Sequence, residues 1–145
     1  MLAIGSDHAG YGLKLEVIKY LNENNISFTD VGCSGESCDY PDIAKALCEK
    51  IVKDECTKGI LICGTGIGMS MAANKVHGIR AALCSDYFSA KYTRLHNDAN
   101  VICLGARTIG PGLALELIDV FLNTEFEGGR HQRRIDIFKK IEEEN

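Results

Sequence analysis

Cys63 ends an apolar run and opens a glycine-rich turn in Gly59-Ile-Leu-Ile-Cys-Gly-Thr-Gly-Ile-Gly68. That arrangement sets a lone thiol at the start of an anion-favouring turn. Ile60, Leu61 and Ile62 fit a strand covered on both faces. Gly64, Gly66 and Gly68 permit a tight turn that aims several backbone N–H groups at one spot. A helix predicted over Met69–Asn74 adds its positive end there. A thiol at such a place can lose its proton more easily than a free one. A plain strand–turn–helix with a buried cysteine accounts for the same residues, and both readings stand at this point.

A second place for an anion is Arg130-His-Gln-Arg-Arg134. In a helix, Arg130 and Arg134 share a face at i, i+4 and could grip one small anion together. A solvated helix start is the plainer account. Asp7 and His8 follow the first apolar run, where capping a helix is the ordinary role. His96 and Asn97 stand just before another apolar run.

The elements that must carry these residues alternate throughout. Strands are predicted at Leu2–Ser6, Ser27–Val31, Gly59–Cys63, Ile79–Cys84 and Asn100–Leu104. Helices are predicted at Tyr11–Asn24, from Pro41 to about Lys53, after Asp86 to about Arg94, at Pro111–Leu122 and at Arg130–Glu143. The alternation predicts an α/β fold, a Rossmann-like three-layer αβα sandwich on a five-stranded parallel sheet, in a single domain over residues 1–145. Ligands of such folds bind at the carboxyl ends of the strands. Asp7, His8, Asp39, Tyr40, Cys63 to Gly68, Ser85, Asp86 and Gly105 to Arg107 fall at that edge. His96 and Asn97 fall at the opposite edge of the same chain, so joining the others would take an unusual connection or a neighbouring subunit.

Composition narrows the class. The chain has 145 residues, 46% hydrophobic and 25% charged, with no apolar run near the ~20 residues of a membrane span. The first residues lack a basic region and a cleavage site and read as a strand, so a cytoplasmic protein is expected. A net charge of −4 argues against general affinity for nucleic acid. The seven cysteines, an odd number, read as reduced thiols. Cys33 and Cys38 have no second Cys/His pair at zinc spacing, so no metal site and no disulfide framework is expected. A dinucleotide fold is a rival, with Asp86 placed as a ribose-binding acid. Its fingerprint is one residue short here, because Gly64-Thr-Gly-Ile-Gly68 is G-x-G-x-G. A P-loop lacks its Gly-Lys-Ser/Thr.

Several segments taken together resemble the ribose-5-phosphate isomerase B family, which includes galactose-6-phosphate and allose-6-phosphate isomerases. They are Gly5-Ser-Asp-His-Ala-Gly10, Asp39-Tyr-Pro41, Ile62 to Gly68, Ala72-Ala-Asn-Lys75, His96-Asn-Asp-Ala-Asn100, Gly105-Ala-Arg107 and Gly128 to Arg134. The resemblance implies an aldose–ketose isomerase acting through an enediolate on ribose 5-phosphate and ribulose 5-phosphate, with no metal or other cofactor. Cys63 matches the base that moves a proton between C2 and C1. Gly64, Thr65, Gly66, Ile67 and Gly68 match the loop that holds the enediolate, with Thr65 near the reacting carbons. His96 matches the residue that opens the sugar ring, assisted by Asp7. His8, Arg107, Arg130 and Arg134 match phosphate ligands, and Asn97 a sugar contact. Some branches of the family replace the cysteine by a glutamate six residues further on, where this chain has Met69. The resemblance also implies a homodimer with the site between subunits, and leaves a tetramer open. A sister 6-phosphohexose isomerase and a non-catalytic sugar-phosphate sensor are the alternatives.

Overall fold

A computed structural model describes residues 1–145. Five strands, β1 (Leu2–Ser6), β2 (Phe28–Asp30), β3 (Lys58–Cys63), β4 (Ala81–Leu83) and β5 (Val101–Gly105), form one sheet in the order β2-β1-β3-β5-β4. Every pairing is parallel, and the register sets Cys63 of β3 beside Gly105 of β5. The helices are α1 (Tyr11–Glu23), α2 (Tyr40–Val52), α3 (Ile67–Ala73), α4 (Tyr87–Asn97), α5 (Pro111–Asn123) and α6 (Arg130–Glu143).

Strand alternation divides the core in two. Ile60, Ile62, Ile102 and Leu104 face a cluster with Leu13, Val17 and Leu21 of α1 and Leu117, Ile118 and Phe121 of α5. Leu61, Cys63, Val101 and Cys103 face the other way, onto Leu47, Cys48 and Ile51 of α2 and Met69 and Ala73 of α3. Helices therefore cover both faces, the three-layer arrangement that the alternation predicts. The chain leaves β1 toward β2 on one side and resumes at β3 on the other, so the sheet's switch point lies between β1 and β3. Asp7 and Cys63 stand at that point.

Most predicted ends hold or shift by a single residue, and three boundaries differ by two residues or more. Strand β4 is confined to Ala81–Leu83. Arg80 ahead of it donates its N–H to the Asn100 side chain at 2.8 Å instead of to a strand. Helix α4 continues past Arg94 to Asn97, where Asp98 turns left-handed at φ 46°. Helix α3 begins at Ile67, two residues before the predicted start.

The cysteine reading needs correcting at one pair. Cys33 and Cys38 form a disulfide, while Cys48, Cys56, Cys63, Cys84 and Cys103 are free. The intervening loop turns at Gly35, φ 99°, and brings the two Cα atoms to 6.5 Å, within bridging range. The loop is anchored beneath by Lys14, whose buried Nζ donates to the Cys33 carbonyl at 2.7 Å and pairs with Asp30 at 3.0 Å.

Candidate active site

Cys63 is the last residue of β3 and is buried, at 5% exposure. The chain beyond it must turn within three residues to enter α3. Gly66 makes that turn at φ 80°, and its N–H donates to Cys63 Sγ at 3.1 Å. Thr65 Oγ1 accepts the N–H of Ile67 at 3.2 Å, fixing the next amide of the loop. The Gly66 amide thus meets the sulfur as a hydrogen-bond donor just ahead of α3. Burial pushes the Cys48 and Cys84 thiols up to about 12 and Cys103 well above its ordinary value, so these three stay protonated.

The turn tolerates only glycine at its pivot. A Cβ on Gly66 would lie 2.5 Å from Leu83 Cδ1 and 3.0 Å from the Leu104 carbonyl carbon. Gly66→Ala is expected to cost about 1–3 kcal/mol, from the left-handed backbone together with the contact. Urea titration of the variant measures it, and an unchanged midpoint would mean the loop relaxes freely.

Other residues gather on this side. Asp7 is buried at the end of β1, with its N–H on the Ile62 carbonyl and its Oδ1 accepting the Gly10 N–H at 3.0 Å. His8 is exposed, and its Nδ1 accepts the Cys38 N–H at 3.3 Å, which ties it to the disulfide loop. Arg107 donates its N–H to the Gly64 carbonyl at 2.9 Å. A Cβ added at Gly64 would touch Arg107 Nη1 at 3.4 Å, so the guanidinium lies over the loop. The Tyr40 ring packs so closely on Gly68 that no side chain fits there. Met69 is fully buried under the loop and carries no proton. Asp86, the rival ribose ligand, caps α4 instead, accepting the Ser89 N–H and hydroxyl at 2.8 Å each. Those bonds hold its carboxyl below the usual range, as a cap does.

The remaining candidates lie at the opposite end of the sheet. Helix α4 leaves the carboxyl edge after β4 and delivers His96 and Asn97 just ahead of Val101, at the amino end of β5. The sheet separates them from Cys63 by its length, about 13 Å along β5. Helix α6 packs on α4 there, burying His131 and Ile135 and leaving Arg130 and Arg134 exposed. His96, Asn97, His131 and Arg134 line one groove of about 430 Å³ with Ile135, Ile137 and Phe138. One chain therefore carries two clusters: Asp7, His8, Cys63 to Gly68 and Arg107 at one edge, and His96, Asn97, Arg130 and Arg134 at the other.

A model of the family described as Ribose/Galactose Isomerase matches residues 2–138. The chain belongs to the ribose/galactose isomerase family. Among its relatives is a ribose-5-P isomerase B of Listeria innocua, 46% identical over 99% of this chain and 98% of that protein. A D-erythrulose-4-phosphate isomerase of Pectobacterium atrosepticum is 47% identical over 93% of this chain and 90% of that protein. The solved structure of Clostridium thermocellum ribose-5-phosphate isomerase B superposes with a TM-score of 0.97. It is 46% identical and covers 99% of this chain and 97% of that one.

Two further residues, Glu127 and His131, pack against His96 in this member of the ribose/galactose isomerase family. Glu127 Oε2 lies 3.6 Å from His96 Nε2, and the His131 ring stacks on the His96 ring at 4.1 Å. Their ligand atoms are close enough to converge on a divalent ion. The neighbouring charges oppose a cation, however. Burial, His96 and the Arg130 and Arg134 charges all lower the His131 pKa, and only Glu127 resists. No sequence signal marks Glu127, because its proximity to His96 depends on how the 124–129 segment lies across α4.

Proposed function

We propose that this protein is a cytoplasmic ribose-5-phosphate isomerase, a single catalytic domain over residues 1–145 that works as a homodimer. The observation that carries the reading is Cys63 Sγ held by the Gly66 amide at the switch point of the sheet. In this reading the Cys63 thiolate takes the C2 proton of the open aldehyde. Negative charge moves onto O1, and the amides of Gly64 to Gly68 stabilise the resulting enediolate. The proton returns at C1 as the O2 proton passes to O1, which leaves the carbonyl at C2, and Thr65 orients the two hydroxyls.

Two copies related by a twofold axis bring the two clusters together, so that His96 and Asn97 of the partner subunit face Cys63. His96 and Asp7 open the ring. Arg107 and His8 from one side and Arg130 and Arg134 from the other hold the phosphate. The reading needs no metal or cofactor.

The test is formation of ribulose 5-phosphate from ribose 5-phosphate by the purified chain in EDTA. Absence of turnover would overturn the reading. Arg134→Ala separates binding from chemistry. Loss of one charge-assisted contact should raise KM roughly 10- to 100-fold with little change in melting temperature. Unchanged KM and kcat would remove Arg134 from the site.

The Pectobacterium relative supports a second reading, isomerisation of a four-carbon sugar phosphate. Assaying D-erythrose 4-phosphate beside ribose 5-phosphate decides between them. A kcat/KM larger on the tetrose would favour the second.

A further inference from the structure

A histidine that opens a sugar ring must accept a proton in passing, and its surroundings decide how well it does so. His96 lies in the last turn of α4, where the helix dipole favours a cation. Glu127 Oε2 is 3.6 Å from its Nε2. The backbone that carries this carboxylate is held in place. Glu127 donates its N–H to the Leu95 carbonyl at 3.0 Å, and Arg94 Nε holds the Thr124 carbonyl at 3.0 Å, so this strap is pinned across α4. On the other side the His131 ring lies nearly parallel to His96, at 13°, and Tyr92 meets His96 edge-on at 5.0 Å. The His96 ring is thus held between two aromatic neighbours, with one nitrogen turned to a carboxylate. Arg130 and Arg134 of α6 supply the opposing charge nearby.

We infer that Glu127 is a positioning residue for ring opening: it faces the Nε2 side of the His96 ring and compensates the imidazolium that forms. The inference rests on the isomerase reading. In the step concerned, His96 Nδ1 takes the proton from the anomeric O1 of the closed sugar. The C1=O1 bond forms as the C1–O4 bond breaks, and its electron pair goes to O4. The imidazolium then returns the same proton to O4. Imidazole ends as it began, and nothing is oxidised or reduced. Glu127 acts only while the positive charge is on His96, the moment when its attraction counts. The arrangement has the logic of a carboxylate orienting a catalytic imidazole, here with the carboxylate on Nε2.

Glu127→Gln tests this, since Gln keeps the shape and removes the charge. Two reactions of the intact protein are compared. One is turnover of ribose 5-phosphate, which must be opened from its ring. The other is exchange of solvent deuterium into C1 of ribulose 5-phosphate, followed by NMR. That ketose cannot close a furanose ring through its phosphorylated C5 oxygen, so the exchange reads proton transfer alone. The expected result is a fall of roughly 10-fold or more in kcat on ribose 5-phosphate, with KM and the exchange rate near wild type. Unchanged turnover, or equal losses in both reactions, would overturn the role. Absence of interconversion by the wild-type protein would fall on the isomerase reading itself.

Discussion

Cys63→Ala is expected to abolish measurable isomerisation of ribose 5-phosphate while leaving the protein folded. Loss of a positioned base lowers a proton-transfer rate by ~100- to 10,000-fold, and no neighbouring group is placed to substitute. Met69 sits beneath the loop as a buried thioether. The Thr65 hydroxyl is engaged by the Ile67 amide, and the Asp7 carboxylate by Gly10. Cys103, the nearest thiol on the adjoining strand, is pushed far toward its protonated form by burial. Structurally the change is small. Alanine removes one sulfur from a cluster of thirteen buried residues and leaves the Gly66 amide without its acceptor. Costs of about 1–3 kcal/mol for a lost buried acceptor leave an ordinary domain folded. Circular dichroism and the melting curve verify the fold, and Cys63→Ser, nearly isosteric but a poor base, guards against a cavity effect. Full activity in either variant would mean that another group moves the proton.

Much of this frame is legible in the sequence. β1 and α6 have the predicted ends, because Leu2–Ser6 is a short apolar run closed by polar residues and Gly128-Gly129 permits a sharp entry into α6. Strand order alone places the carboxyl-edge residues, since whatever follows a parallel strand lies at that edge. What escaped was set by contacts distant in sequence or by loop shape. The Cys33–Cys38 bridge depends on the turn at Gly35, which spacing does not reveal. The groove joining His96 to Arg134 depends on α6 packing across α4. Glu127 reaches His96 only because its own amide is bound by Leu95. Propensity and periodicity report which face an element buries, not which side chains two elements bring together at their rims.

The division of one chain into two clusters leads to the second large effect. Cys63→Ala and His96→Asn, each nearly inactive alone, should regain activity when mixed under conditions that let subunits exchange. If each site joins the Cys63 edge of one protomer to the His96 end of the other, a mixed dimer holds one site with both residues intact. Its other site lacks both. Random assortment makes half of all dimers mixed, so about a quarter of all sites recover. A site contained within one chain predicts the opposite, because every site in every assembly then lacks either Cys63 or His96. Differently tagged variants, co-purified through both tags, isolate the mixed dimer and should reach about half the wild-type rate per dimer. Mixed dimers that form and remain inactive would refute the shared site. So would a wild-type protein that sediments as a fully active monomer. The geometry gives the expectation its force. His96 lies a full sheet length from Cys63 in its own chain, and no side-chain rotation closes about 13 Å. Either a second subunit brings an imidazole to the thiol, or ring opening at this site is done by something other than His96.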